Sequence, residues 1–347
     1  MSRVAVVTSS PPFVEGGHLV IARALVGALR EAGHEADLVI TPQNRFGRQA
    51  AAYAANWLTD VGVDGFGRRI DQVISFRFPS YAVRHERHLC WLNHTMREYY
   101  DLWPRLVAGL GRKGRLKEGI RRTLVRAADR YLLTKNVTKL VAQSRTIQQR
   151  LSVLKGVRST VVYPPPPPRA YRCDAYDDYL FAASRLTPLK RLGLLVEALA
   201  RPEADGIRCV IAGEGEEEPR LRALVRERGL EARVQLIGRV DGAQLVDQLA
   251  RCRAVCFAPY DEDYGFVTVE AFSARKPVVT CTDSGGPVEL VRDGVNGYLA
   301  APDPASLAIA LARVMRDRAA AERLGSAGAE LAARLTWEQT VPKLLLV

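Results

Sequence analysis

At 347 residues the chain is longer than the ~100 to 200 residues that one core ordinarily serves, so two domains of similar size are expected. Hydrophobic residues at 48% and charged residues at 25% match ordinary globular composition, which excludes a disordered, collagenous or small disulfide-stapled chain. The formal net charge of +12 is one-sided: residues 1–165 hold 26 Lys+Arg against 12 Asp+Glu, and residues 166–347 hold 24 against 26.

A basic half can attract anionic lipid, nucleic acid or phosphorylated small molecules, or simply keep the surface soluble, and charge alone does not choose. Met1 leads into Arg3-Val4-Ala5-Val6-Val7, which reads as a strand rather than a signal peptide. No apolar run approaches the ~20 residues that cross a bilayer. Six Cys without a Cys-x-x-Cys pair fit thiols in a reducing compartment, so a cytosolic location is expected.

Along the first half, Val4–Thr8, Asp37–Ile40, Gln72–Phe76, Leu89–Leu92, Lys139–Ala142 and Thr160–Val162 read as strands, and His18–Ala32 and Lys117–Leu133 as helices. Five consecutive prolines, Pro164–Pro168, then impose a stiff extended path and mark a boundary. The second half repeats the pattern, with strands at Tyr179–Ala182, Cys209–Ile211, Val234–Ile237, Ala254–Ala258, Pro277–Thr280 and Gly297–Leu299. Helices are expected at Leu189–Ala200, Glu218–Arg228, Gly242–Arg251, Phe266–Ala274 and Pro304–Arg316. Strands alternating with helices predict an α/β chain of two doubly wound, Rossmann-like domains, 1–165 and 166–335, facing a central cleft where ligands bind. Residues 336–347 are expected to form a C-terminal helix returning to the first domain.

The sharpest pattern runs from Ala258 to Ala271, through Glu262, Gly265, Phe266, Val267 and Glu270. Gly265 lets the backbone approach a ligand, and the N–H groups at Phe266 and Val267 open a helix, an anion site suited to phosphate. Glu270, one turn further on the same face, can accept hydrogen bonds from both hydroxyls of a ribose, and Glu262 can reach hydroxyls of a further group. Without a ligand the same spacing describes a capping loop with one buried Glu. The Asp261-Glu262-Asp263 triplet also offers a divalent-cation reading, but Arg185 and Lys190 can neutralise a diphosphate instead, Arg185 by a two-donor fork and Lys190 as a point charge, unless that segment is a solvated basic loop.

Weaker signals come from Gly16-Gly17 after the first strand, Gly213-Glu214-Gly215, and Ser284-Gly285-Gly286-Pro287. Each loop can bring backbone N–H groups to a ligand or be only a tight turn, and none is the Gly-x-Gly-x-x-Gly fingerprint of dinucleotide folds. His94 follows a first-domain strand and suits polar contact near neutrality. His85, His88 and Cys90 lie close by in sequence, but a strand there would scatter them, so no metal site is expected.

Together these segments resemble the large retaining glycosyltransferase family 4 (glycosyl transferases group 1), of the GT-B fold. The resemblance spans nearly the whole chain, including Trp91-Leu92-Asn93-His94, Val141-Ala142-Gln143-Ser144 and Val162-Tyr163-Pro164-Pro165; its specific part is Glu262 and Glu270 around Gly265, joined to Arg185 and Lys190. Tyr264 stands where the family more often has Phe. The resemblance implies that Glu270 binds the ribose, Arg185 and Lys190 the diphosphate, and Glu262 with nearby amides the donor sugar. It also implies that His94 contacts the reacting sugar, that Gly16, Gly17, Gly213 and Gly215 approach the donor, and that backbone near Gly238 and Arg239 reads the base. The implied reaction moves a hexose from GDP-mannose or a UDP-hexose to a glycan or lipid-linked acceptor, with retention and with no metal or other cofactor. Abundant Arg and Ala point to a GC-rich bacterial source and a cell-envelope polysaccharide or glycolipid.

Residues 105–130 carry nine Lys/Arg against Glu118 and Asp129. With Leu116, Ile120, Leu124 and Val125 as a partial apolar face, the stretch either docks peripherally on the anionic inner face of a membrane or packs that face on the sheet. Little aromatic interleaving argues against nucleic acid. Two other readings stay open: a sugar-nucleotide epimerase or hydrolase of the same fold, and a non-catalytic basic membrane- or nucleic-acid-binding protein.

Overall fold

A computed structural model describes residues 1–13, 16–43 and 46–346; Val14 and Glu15, which precede Gly16 in the sequence, fall outside them. The chain divides into two compact units, Met1–Pro164 with Trp337–Val347, and Pro165–Thr336. The division falls inside the proline run.

The first unit runs β1 (Arg3–Ser10), α1 (Gly17–Glu31), β2 (Glu35–Pro42), α2 (Gln49–Trp57), β3 (Gln72–Arg77), β4 (His88–His94), α3 (Trp103–Ala108), α4 (Arg112–Tyr131), β5 (Lys139–Ala142), α5 (Arg145–Leu151) and β6 (Thr160–Val161). Among the described residues its sheet has six parallel strands in the order β2-β1-β3-β4-β5-β6. Strand β1 is buried from Val4 to Ser10, as a parallel strand covered on both faces must be, which explains its unbroken apolar run. Helix α1 buries Leu19, Ile21, Ala22, Leu25, Val26 and Leu29, the period of an amphipathic helix.

Helix α4 starts five residues before the expected Lys117, and its apolar residues do not pack on the sheet as a set. Val125 is buried, whereas Leu116, Ile120 and Leu124 face outward. The other inward positions belong to Glu118 and Asp129. Asp129, fully buried, accepts hydrogen bonds from the hydroxyls of Tyr53, Tyr81 (2.5 Å) and Tyr100 (2.6 Å). Burial pushes its carboxyl up, and the three tyrosine donors oppose that rise.

The second unit runs β7 (Leu180–Ala183), α6 (Leu192–Leu199), β8 (Cys209–Ala212), α7 (Glu218–Glu227), β9 (Val234–Gly238), α8 (Gly242–Arg251), β10 (Ala254–Cys256), α9 (Phe266–Ser273), β11 (Val278–Cys281), α10 (Gly286–Leu290), β12 (Gly297–Ala300), α11 (Pro304–Arg316) and α12 (Arg318–Ala332). Its strands, all parallel, lie in the order β12-β11-β10-β7-β8-β9. The core gathers Leu180, Ala182, Leu195, Val196, Leu199, Ile211, Val279, Leu307 and Leu311. The last helix, α13 (Trp337–Leu344), belongs to the first unit, where Trp337 meets Trp91 edge-on and the Leu344 carbonyl accepts from Gln72 Nε2 at 2.7 Å.

Two expected elements are shorter than their apolar runs. The strand expected over Ala254–Ala258 ends at Cys256, and the helix expected from Leu189 begins at Leu192, after a 3-10 turn over Pro188–Lys190 and a left-handed Arg191 (φ 50°). Arg191 accepts that backbone because its side chain is anchored: it forks onto Asp283 at 2.7 and 2.8 Å and donates to the carbonyls of Ala258 and Pro259.

Candidate functional site

In the second sheet the chain winds outward from β7 through β8 to β9, then returns to β10 beside β7 and winds the other way. The crevice beyond the carboxyl ends of β7 and β10 is therefore a topological switch point, the place where doubly wound sheets bind ligands. The loops after these two strands carry Arg185 with Lys190 and Glu262 with Gly265.

The two loops meet in an ion pair, Lys190 Nζ to Glu262 Oε2 at 2.6 Å, with side chains only 12% and 20% exposed. Lys190 also lies 5.4 Å above the centre of the Phe257 ring. Neither Lys190 nor Arg191 faces open water, so the solvated-loop reading fails for these two residues. Arg185 is exposed and has no ion-pair partner among the described residues.

Glu262 is held by the glycine loop before α10. Its N–H donates to Ser284 O and its carbonyl accepts from Gly286 N, both at 2.9 Å. A Cβ on Gly285 would stand 2.5 Å from Glu262 O, and one on Gly286 2.5 Å from Tyr264 Cα. The Ser284–Pro287 segment thus works as a backbone brace for the Glu262 loop.

Gly265 takes a left-handed conformation (φ 84°) that starts α9, and a Cβ there would meet the Phe257 ring and Pro287 at 2.9 Å. Phe266 and Val267, both partly exposed, lead the helix, and Tyr264 packs edge-on against Phe266. Thr268 N–H turns back to Gly265 O, one of the bonds that replace the missing intrahelical acceptors.

Glu270 lies one turn into α9 and is 5% exposed. Arg169 Nε donates to its Oε1 at 3.1 Å and Tyr171 OH to the same oxygen at 3.2 Å. Burial raises the carboxyl above its ordinary range, while the Arg169 charge and both hydrogen bonds pull it back. Arg169 and Tyr171 were missed in the sequence. They precede Glu270 by about a hundred residues, and the available signal was an Arg-x-Tyr alternation directly after the prolines.

Other residues sit further from this centre. Gly213 and Gly215 press their backbones on the Arg185 loop: a Cβ on either would run into the carbonyl of Ser184 or Leu186. Gly238 ends β9 with its carbonyl on Gly213 N, and Arg239 pairs with Glu214 at 3.5 Å on the surface. Among the described residues no group of three or more His, Cys, Asp or Glu side chains is placed to hold a metal ion.

In the first unit, Gly16 precedes α1 and its carbonyl accepts from Leu19 N, with Gly17 as the first helical residue. His94 ends β4 and is half-buried; its Nδ1 donates to the Thr95 carbonyl at 2.7 Å. His88 and Cys90 of the same strand are buried in the core, and His88 Nε2 pairs with Ser75 Oγ at 2.7 Å.

Comparison with known proteins accords with this architecture. Residues 171–331 match the family model described as glycosyl transferases group 1. The chain is 34% identical to a D-inositol 3-phosphate glycosyltransferase of Stackebrandtia nassauensis, over 47% of this chain and 39% of that protein. It is 33% identical to a phosphatidyl-myo-inositol mannosyltransferase of Mycobacterium leprae, over 48% of this chain and 45% of that protein. The match thus spans less than half the length of these relatives.

Among solved structures, sucrose-phosphate synthase from Thermosynechococcus elongatus superposes over 98% of this chain and 97% of that one, with a TM-score of 0.78 at 18% identity. Anabaena HepE in complex with UDP-glucose superposes over 98% of both chains, with a TM-score of 0.69 at 16% identity. These likenesses establish the GT-B fold, in agreement with the two doubly wound sheets. Residues 171–331, which resemble the glycosyl transferases group 1 model, lie within the second unit.

Proposed function

We propose that the protein is a retaining glycosyltransferase that moves a hexose from a nucleoside diphosphate sugar to a hydroxyl of a glycan or lipid-linked acceptor. The observation that carries this reading is the placement of Lys190 and Glu262 on the loops that follow the neighbouring strands β7 and β10, with Glu270 one turn into the helix that continues the second loop. The names of the two relatives given above, a glycosyltransferase and a mannosyltransferase, support the same reaction class.

In this reading the ribose hydroxyls donate to the Glu270 carboxylate, and the diphosphate rests on the start of α9 with Arg185 and Lys190 as counter-charges. Lys190 starts in a pair with Glu262. When the diphosphate arrives, the ammonium exchanges that carboxylate for phosphate oxygens, and Glu262 becomes available to accept from donor-sugar hydroxyls. As the bond to the diphosphate breaks, Lys190 and Arg185 stabilise the leaving charge, and the acceptor hydroxyl attacks from the same face, passing its proton to the departing phosphate. These two bases supply the positive charge that a divalent cation would otherwise bring, so the reading needs no metal or other cofactor.

Calorimetric titration with UDP and GDP, in EDTA and then in Mg²⁺, tests the nucleotide site, with Glu270→Ala as control. Metal-independent binding of one nucleotide that is lost in the variant is expected; binding of neither would overturn the reading. Product analysis with donor alone against donor plus acceptor then separates transfer from hydrolysis or epimerisation.

A further inference from the structure

Helix α4 has an apolar stripe turned toward solvent, and the inward side of the helix explains why. Its two acidic residues are spent on internal contacts: Asp129 on the three tyrosine hydroxyls, and Glu118 on Tyr99 OH at 2.8 Å and Arg121 at 2.6 Å. Arg122 and Arg126 also turn inward, both donating to the Tyr99 carbonyl at 3.0 Å and lying over the rings of Trp103 and Tyr100. With Val125 these groups fix which face of the helix meets the rest of the unit.

The opposite face holds Leu116, Ile120 and Leu124, which are 70%, 56% and 64% exposed, with Tyr131 57% exposed at the end of the helix. Spaced four apart, the three aliphatic residues form one line about 12 Å long, and Tyr131 continues it. At 100° per residue, Lys113 heads this line at its N-terminal end, Lys117 flanks it on one side, and Arg112 and Arg130 flank it on the other. All four are exposed, and none has an acidic partner among the described residues. The outer face is thus apolar along its centre and positive on both margins, with no negative charge of its own.

We propose that this face of α4 is a docking surface for an anionic lipid bilayer. A helix lying in the plane of such a surface puts its central apolar side chains below the headgroups and its basic margins among the phosphates. An acidic protein or a nucleic acid would be met by the charges alone and would leave Leu116, Ile120 and Leu124 without a function; bases need aromatic platforms, and the stripe is aliphatic apart from Tyr131. A second copy of the chain would bring the same basic margins against each other. The bilayer alone satisfies the stripe and its margins together, and it goes beyond glycosyl transfer because it needs no donor or turnover to be observed.

Vesicle flotation of the full chain tests it, using phosphatidylcholine vesicles with and without about 30 mol% phosphatidylglycerol. The wild type should float with the anionic vesicles, remain behind with pure phosphatidylcholine, and lose binding as salt rises. Leu116→Ser/Ile120→Ser/Leu124→Ser should lower the partition coefficient by about tenfold or more at unchanged charge. Lys113→Glu/Lys117→Glu should abolish binding at physiological salt. Because these side chains face water, both variants should keep the wild-type melting temperature and nucleotide binding.

Three outcomes overturn the proposal: no flotation of the wild type, full flotation of the serine variant, or equal flotation with neutral and anionic vesicles. Concentration-dependent dimerisation that the serine variant abolishes, without vesicle binding, would assign the face to a second copy instead.

Discussion

Arg169 and Glu270 stand 3.1 Å apart across a hundred residues of sequence, and Tyr171 joins the same carboxylate oxygen. Both protein donors go to Oε1, and no described residue donates to Oε2. The pair therefore fixes the carboxylate and opposes the rise that burial imposes, while leaving an oxygen for a ligand. Arg169→Met removes the charge that offsets burial, so nucleotide affinity should fall about tenfold or more, the scale of one charge-assisted hydrogen bond. Wild-type affinity of this variant for both UDP and GDP in calorimetric titration would separate Arg169 from the site.

The same carboxyl gives a pH signature. Burial raises Glu270 above the ordinary 4.5, and a protonated acid loses the charge that strengthens its hydrogen bonds and turns one oxygen into a donor. Nucleotide binding should thus weaken as pH falls through a value above 4.5 and be complete on the alkaline side. Arg169→Met should move that midpoint higher, and Glu270→Gln should bind weakly with no such dependence. A midpoint shared by the wild type and Glu270→Gln would assign the titration to another group.

These roles were unequally legible. Glu262, Gly265 and Glu270 lie within one loop and helix start, so their spacing alone put them together, and both domain folds followed from alternating apolar runs. Arg169 and Tyr171 were hidden because their partner is distant and only tertiary folding brings the connector onto α9. Arg191 drew no role of its own in the sequence, but its left-handed backbone and its fork onto Asp283 make it a brace. The face of α4 came out opposite to the packing expectation because buried acids can occupy a core-facing stripe when tyrosines satisfy them. Hydrophobic periodicity alone does not register that exchange.

Lys190 and Glu262 make a further prediction. If Lys190 leaves Glu262 for the diphosphate, Lys190→Ala should lower kcat by about 100-fold, the scale of one lost electrostatic donor. Glu262→Gln keeps Lys190 and should leave nucleotide affinity within a few fold while weakening discrimination among donor sugars. Steady-state rates of nucleotide release with donor and acceptor read both effects; an unchanged kcat in Lys190→Ala removes it from catalysis.

Gly286→Ala tests the brace. Its Cβ would stand 2.5 Å from Tyr264 Cα and 2.6 Å from Tyr264 O, backbone that cannot rotate away. The Glu262 loop must shift, costing about 1 to 3 kcal/mol of stability as an overpacked contact. The expected result is a lowered melting temperature together with at least tenfold slower transfer, consistent with the electrostatic scale above. Full activity at wild-type stability would mean that the two loops are not coupled.

His88 supplies a stability test away from the site. It is fully buried, and desolvation with the nearby His85 charge pulls it from 6.5 down to about 3. The unfolded chain takes a proton near 6.5 and the folded chain only near 3, so between those values the unfolded state binds more protons and stability falls as pH falls. The slope from this residue is at most about 1.4 kcal/mol per pH unit. His88→Gln retains a polar partner for Ser75 but cannot titrate, so urea unfolding at pH 7, 6, 5 and 4 should show a flatter decline than the wild type. Raised and glutamate-like groups such as Asp129 and Glu270 contribute equally to both proteins and cancel in the difference. Parallel declines would show that His88 is protonated in the fold, and that the Ser75 contact is a bond from the imidazolium.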